Sequence, residues 1–347
     1  MSVKSLAVEF RPKKWDDVSE QSSTKTILQN QLETNTVKSA YLFCGAAGTG
    51  KTTCARIFAN EINQGKGNPI ELDAASNNSV DDVREIIQMA QTRSMDSEYK
   101  IFILDEVHAL SNSAWQAMLK LIEEPPLKSI FIMCTTDPQK IPKTILSRVQ
   151  RYDFKRISQQ GIVKRLEYIC QQCMVQSYEL EALDYIARVS DGCMREAITM
   201  LDKCFSFSED GKVTLEDVSK VIGTQDIDLL MGLTGSIFLH DHKAILDDIQ
   251  KVYASGMDMK LFEKQYLDFI LDVVKLNMVD FDYSYTALPK TNVLDRWIKD
   301  NTRDYEEYDR FTKLLDMLLE LHSAIKWDPN PKFLIEARFL TFDEREV

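Results

Sequence analysis

The segment Gly45-Ala46-Ala47-Gly48-Thr49-Gly50-Lys51-Thr52 has the spacing G-x-x-x-x-G-K-[ST] between an apolar run and a helical one. Glycines at those positions let backbone wrap closely round a polyphosphate, so that amide N–H groups and the positive end of the following helix face the anion. In that geometry Lys51 reaches the β and γ phosphates, Thr52 ligates Mg²⁺, and Thr53 follows in the first helical turn. The expected ligand is ATP. Further along, Ile101-Phe102-Ile103-Leu104-Asp105-Glu106 ends an apolar strand in two acids. Asp105 would hold the magnesium shell. Glu106 would orient and polarise the attacking water, because phosphoryl transfer needs positioning and electrostatics more than covalent help. Taken alone, the two acids read equally well as a solvated strand-end turn; the glycine loop upstream favours the first reading.

Other residues carry weaker signals. Thr135-Thr136-Asp137 closes the next apolar run, so its polar tip should lie beside the γ-phosphate. Thr136 is the better candidate for holding the water, against the ordinary use of threonine in turns. Arg148 follows a short helix at the edge of this region and looks too far along the fold to serve its own nucleotide. It is either a guanidinium offered to a neighbouring subunit's nucleotide or half of a surface ion pair. Arg195, in Asp191-Gly192-Cys193-Met194-Arg195-Glu196, stands in the first turn of a helix, where the helix dipole favours acids. That reads as a lid arginine on the phosphates ahead of an ordinary ion pair. His108 reads as a structural residue beside the site. Cys170 and Cys173 have C-x-x-C spacing but no second close ligand pair, so zinc is not expected.

The elements that must hold these residues follow from periodicity. Between about Ser39 and Phe154, short apolar strands alternate with amphipathic helices, the pattern of an α/β domain with a mostly parallel sheet covered on both faces. The predicted strands are Ser39 to Cys44, Ile70 to Asp73, Lys100 to Leu104 and Ile130 to Cys134, each suited to burial on both sides. Ser79 with Asp82 and Thr214 with Asp217 have capping-box spacing; a helix from near Ser111 should stop before Pro125-Pro126, and Asp210-Gly211 marks a turn. After Phe154 the helical period predicts Gly161 to Cys173, Leu180 to Val189, Met194 to Phe205 and Leu215 to Ile222. Long amphipathic stretches then continue beyond Thr224, interrupted by an irregular Asp280 to Val293.

A chain of 347 residues exceeds one compact core, and 44% hydrophobic with 28% charged residues is the balance of an ordinary globular protein. No apolar window approaches a membrane span, which predicts a cytoplasmic protein with no membrane partner. An odd number of scattered cysteines argues against a disulfide framework. A net charge of −12 repels nucleic acid overall, so any DNA contact must be local.

Over nearly its full length the chain resembles the gamma/tau ATPase subunits of the bacterial DNA polymerase III clamp loader, a family of the AAA+ superfamily. The resemblance rests on FRPKKWDDVSEQ, GAAGTGKT, ELDAASNNSVDDVREI, ILDEVHALS, LIEEPP, TTDPQKIPKTILSR, DGCMREA and HSAIKWDPNPKFLIEARFL. DAASNN, EEPP and TTDPQKIP separate this family from the archaeal and eukaryotic clamp-loader subunits. The resemblance implies an AAA+ P-loop ATPase domain over 1–157, a helical lid over 158–223 and a helical collar for oligomerisation over 224–347. It implies an ATP-hydrolysing motor that opens a sliding clamp and loads it onto primer-template DNA, in a five-membered ring with delta-type subunits and further copies of itself. It further implies that Gly45 to Thr53 bind ATP with Mg²⁺ on Thr52 and Asp105, that Arg148 acts in trans, and that Arg195 is the lid sensor. It also implies that Arg11, Pro12 and Val18 line the adenine side, and that Ser111, Asn112 and Ser113 are candidates for DNA phosphate contacts at a helix start. The alternatives are a non-catalytic assembly subunit, against which Lys51, Thr52, Asp105 and Glu106 argue, and another AAA+ DNA-remodelling ATPase, which would not need DAASNN or EEPP. Two departures stand out. Asn63 to Pro69 bridges a gap where the family usually inserts a four-cysteine zinc module, and Ser147-Arg148-Val149 replaces Ser-Arg-Cys. The chain also stops after the collar, so the tail reaching helicase and polymerase is expected to be absent.

Overall fold

The computed structural model describes residues 5–173, 175, 177–208, 211–222 and 227–343. The chain divides into two compact units, Met1–Gln176 with Ser190–Lys203, and Ser177–Val189 with Cys204–Val347.

The first unit is built on β1 (Ala40–Cys44), β2 (Ile70–Asp73), β3 (Lys100–Asp105), β4 (Ser129–Thr135) and β5 (Gln150–Asp153). They form one sheet in the order β2-β3-β4-β1-β5, and every adjacent pair is parallel. Its helices are α1 (Leu6–Glu9), α2 (Ser22–Glu33), α3 (Lys51–Ile62), α4 (Val80–Gln91), α5 (Asn112–Glu123), α6 (Lys143–Leu146) and α7 (Gln159–Gln172). Alternate residues of each strand feed opposite faces, as the pleat requires. Leu42, Phe102, Leu104, Phe131 and Met133 pack with Ile86 of α4, Met118 of α5 and Ile145 of α6. Tyr41, Phe43, Ile101, Ile103, Ile130 and Ile132 pack with Leu28 of α2 and Phe58 of α3. Burial on both faces is complete in β1 and β4, but Ile70–Asp73 alternates half-buried with exposed residues. It is one of the two edge strands, so the expectation of two-sided burial does not apply there.

Strand order decides what the sheet can hold. Because β4 lies between β1 and β3, the chain segments leaving their carboxyl ends are neighbours, the position at which open parallel sheets bind ligands. α4 begins at the capping box, with Ser79 Oγ accepting from the Asp82 N–H and the Asp82 carboxylate accepting from the Ser79 N–H. α5 ends at Glu123, ahead of the two prolines.

The second unit holds α8 (Leu180–Val189) and the carboxyl end of α9 (Met194–Phe207), whose first turns belong to the first unit. It continues with α10 (Leu215–Ile222), α11 (Ile227–Phe238), α12 (His242–Ala254), α13 (Met259–Met278), α14 (Asn292–Asn301), α15 (Tyr305–Ile325) and α16 (Pro331–Leu340). Two short strands, β6 (Ser177–Tyr178) and β7 (Lys212–Val213), pair in parallel. Thr214 caps α10 by accepting from the Asp217 N–H at 3.1 Å. Phe262, Tyr266 and Ile270 of α13, Phe311, Leu314 and Leu318 of α15, and Ile335 and Phe339 of α16 form its core. Asp280 to Val293 is irregular as expected, apart from one 3-10 turn and the start of α14. Asp210 of the expected turn and the boundary at 223–224 lie outside the described residues. Among the described residues no helix is long and apolar enough to cross a membrane.

Candidate functional site

β1 ends at Cys44 and the glycine loop begins at once. Gly45 has φ 152°, and a Cβ there would lie 2.4 Å from the Phe154 carbonyl oxygen. Gly48 has φ 68°, and a Cβ would lie 2.2 Å from Cys193 Sγ. These two glycines are therefore required by close approach as well as by backbone sign. The Gly48 carbonyl accepts from the Met194 N–H at 3.1 Å, which ties the loop to the start of α9.

Lys51 opens α3 and folds back over the loop. Its Nζ donates to the carbonyls of Gly45 (2.8 Å) and Ala46 (2.9 Å), and Thr49 Oγ1 donates to Ala46 at 2.9 Å. Burial holds the Lys51 ammonium below the usual lysine range, against the pull of the Glu106 and Asp105 carboxylates. A buried cation bonded only to neutral carbonyls is a site that an anion would complete. Thr52 Oγ1 donates to Asp105 Oδ2 at 2.7 Å, so hydroxyl and carboxylate converge from α3 and β3. Two hard oxygen donors that also leave room for water and phosphate oxygens fit Mg²⁺.

Glu106 follows β3 with φ 49°, a left-handed conformation uncommon outside glycine. Its Oε2 accepts from Thr136 Oγ1 at 2.8 Å and from the Thr136 N–H at 3.3 Å. His108 Nδ1 lies 3.2 Å from the same oxygen and 3.2 Å from Thr135 Oγ1. Thr136, preferred from the sequence, thus meets Glu106 directly, while His108 braces both Glu106 and Thr135.

A pocket beside these groups is lined by Ala47 to Thr53, Asp105, Glu106, Arg11, Pro12, Val18 and Arg195. The sequence also missed several lining residues: Ala7, Phe10, Ser19, Ile157, Arg165, Met194 and Ile198. Among these, Arg165 of α7 donates to the Phe10 carbonyl at 2.7 Å and stacks 5.0 Å from the Tyr168 ring centre. It sits in an ordinary amphipathic helix, so nothing in its spacing marks it out.

Four expected site regions lie apart from the pocket lining, one of them Thr136, which is held against Glu106. Arg148 Nε pairs with Glu123 Oε1 at 2.7 Å, and its Nη1 donates to the Thr144 carbonyl at 2.7 Å. Ser111 caps α5, accepting from the Ala114 N–H at 3.2 Å, and Ser111, Asn112 and Ser113 are all exposed. Gly45 and Ala46 contribute the carbonyls that hold Lys51. All seven cysteines, Cys170 and Cys173 included, are free thiols.

Comparison with known proteins gives matches along most of the chain. Residues 70–158 match the family described as DNA polymerase III, delta subunit. Residues 161–210 match the DNA polymerase III clamp loader subunit, ATPase lid domain, and residues 213–336 match DNA polymerase III subunits gamma and tau domain III. DNA polymerase III subunit tau of Bacillus subtilis is 34% identical over 97% of this chain and 62% of its own length. The tau subunit of Escherichia coli is 34% identical over 74% of this chain and 43% of its own length. The chain thus spans about two fifths to three fifths of these relatives. Among solved structures, the Thermotoga maritima RuvB Holliday junction branch migration motor aligns with a TM-score of 0.53 at 21% identity, covering 66% of this chain and 79% of that one. That likeness concerns the fold alone.

Proposed function

Since the chain belongs to the gamma/tau family of DNA polymerase III subunits, we propose that it is an ATP-hydrolysing motor of a clamp loader, opening a sliding clamp and loading it onto primer-template DNA. The observation that carries this reading is the meeting of Lys51, Thr52, Asp105, Glu106 and Arg195 at one pocket. A subunit kept only for assembly would not need all five.

In this reading Lys51 leaves the Gly45 and Ala46 carbonyls for the β and γ phosphates, and the glycine loop encloses the polyphosphate. Mg²⁺, held by Thr52 and Asp105, would neutralise charge developing on the phosphoryl oxygens. Glu106, released from Thr136, orients the attacking water, and Thr136 helps to hold it. Arg195 meets the phosphates from α9. Arg11, Pro12 and Val18 meet the adenine side, with Arg165 behind them. Arg148 serves the nucleotide of the next subunit; its exposure and its absence from the lining of its own pocket support this role. The exposed start of α5, Ser111 to Ser113, meets DNA phosphate. The partners are delta-type subunits, further copies in a ring of five, a clamp and primed DNA, in the cytoplasm, with divisions near 157 and 223.

The test is ATP turnover by the chain reconstituted with delta-type subunits, with and without clamp and primed DNA. Turnover should rise when both are added and should be lost with Lys51→Ala. A reconstituted particle that binds ATP but whose turnover ignores clamp and DNA would refute the motor reading.

A further inference from the structure

Glu20 and Gln21 close the FRPKKWDDVSEQ segment, and the chemistry of the pocket leaves them without a role. They are consecutive residues in the left-handed region, with φ 54° and 53°. Neither is glycine, and such a pair persists only where its surroundings fix it. What fixes it is a set of side-chain bonds to two other segments, the phosphate loop and residues 155–158.

Gln21 is buried. Its Nε2 donates to the Lys155 carbonyl at 2.6 Å and reaches the Thr49 carbonyl of the phosphate loop at 3.4 Å, while its Oε1 accepts from the Lys155 N–H at 3.2 Å. Glu20 accepts from the Ser158 N–H at 3.1 Å and also from the Ser158 hydroxyl, immediately before α7. A Cβ on Gly161 would lie 2.6 Å from Glu20 Oε1, so the missing side chain in the first turn of α7 makes room for this carboxylate. The segment 155–158 continues the chain of contacts. The Ile157 N–H donates to the Gly192 carbonyl at 3.2 Å, and the Met194 N–H returns to Gly48 at 3.1 Å. Phosphate loop, residues 155–158 and the start of α9 are thereby joined in a ring. Backbone bonds, with the Arg156 pair to Asp191 beside them, make its other links; Gln21 closes it at the phosphate loop with a side chain.

We infer that Glu20 and Gln21 form a clasp: positioning residues that hold the phosphate loop and the start of α7 in one arrangement, so that the grip on nucleotide phosphates and the placement of Arg195 depend on side chains that touch no ligand. The clasp rests on the nucleotide reading of the pocket for its effect on affinity, but not for its effect on amide exchange measured without nucleotide. Removing Gln21 opens the ring at the Thr49 and Lys155 carbonyls. Removing the Glu20 carboxylate frees the start of α7 while relieving backbone strain, since glycine adopts φ near +54° freely.

The experiment compares full-length wild type, Gln21→Leu and Glu20→Gly in two measurements. The first is amide hydrogen exchange without nucleotide, followed in peptides covering 46–50, 155–161 and 192–196. The second is titration with a fluorescent ATP analogue. Both variants should speed exchange in 155–161, and Gln21→Leu should do so in 46–50 as well; Gln21→Leu should weaken the analogue by about tenfold, the scale of one or two lost buried hydrogen bonds, and Glu20→Gly by less, because its bonds to Ser158 are exposed. Glu20→Gly should do this without lowering Tm, which a merely structural residue would not. Exchange unchanged in 46–50 and 155–161 for both variants overturns the clasp. If wild type itself fails to bind the analogue while exchange responds as expected, the clasp stands and the nucleotide reading falls.

Discussion

At the scale of single residues, the carboxylate proposed to act on the attacking water is bonded within the protein. Glu106 accepts from Thr136 Oγ1 at 2.8 Å and sits 3.2 Å from His108 Nδ1, so the group assigned to the water is held by the residue assigned to assist it. Glu106→Gln keeps the shape and an acceptor for Thr136 but cannot take up a proton. It should bind ATP as wild type does while turnover falls by about 10² to 10⁴, the usual worth of a positioned base. Thr136→Val should slow turnover less, and the double variant should lose little beyond Glu106→Gln, because the two act as a unit. Fully additive losses in single-turnover hydrolysis would separate their roles. The residues legible in the sequence were those whose spacing is set by local backbone: Gly45, Gly48, Lys51 and Thr52 must be close in the chain to form one loop. Gln21 and Arg165 were not legible. Their partners, Lys155 and Phe10, are more than a hundred residues away, and a left-handed glutamine gives no signal where glycine would.

At the scale of elements, alternation of apolar residues was enough to find the buried strands but not β5, in which Tyr152 alone is buried among Gln150, Arg151 and Asp153. Edge strands bury half of their residues at most, so their pattern fades into a loop. Helical periodicity found α13 and α15 as amphipathic stretches, yet could not reveal what α13 buries. Glu263 is fully buried, one oxygen accepting from His322 Nδ1 of α15 at 2.9 Å and the other without a partner. Burial raises its carboxyl above the usual range, with His322 opposing. A raised acid pKa means that the folded state favours the protonated form. Stability from this group is therefore complete below the unfolded value of 4.5 and is lost as pH rises through the folded value. Glu263→Gln keeps an acceptor for His322 and removes the buried charge. Its Tm should exceed that of wild type by a few degrees at pH 8, the gap closing as pH falls toward 4.5. Thermal unfolding of both proteins across that range checks it; a gap independent of pH would mean that the carboxyl has the same pKa folded and unfolded.

At the scale of the whole molecule, the question is whether the chain is complete as an ATPase. The pocket gathers Lys51, Arg11 and Arg195 from its own chain, but Arg148 is bonded to Glu123 and Thr144 at the end of α6. An exposed ion pair of this kind contributes about 0 to 1 kcal/mol, so a neighbouring nucleotide can displace it cheaply. Arg148→Ala should accordingly leave folding and ATP affinity unchanged, yet lower stimulated turnover in the assembled particle by about 10³ to 10⁵, the range for guanidinium groups supplied in this way. Loss of activity alone would not distinguish a group acting on its own site from one lent to another. Mixing does. A Lys51→Ala chain cannot hold the nucleotide but still carries Arg148, whereas an Arg148→Ala chain holds it without the guanidinium. Particles assembled from both should recover turnover at sites where an Arg148→Ala chain meets a Lys51→Ala neighbour on the correct side. If Arg148 served its own pocket, neither chain could supply a complete site, and the mixture would stay as inactive as its parts.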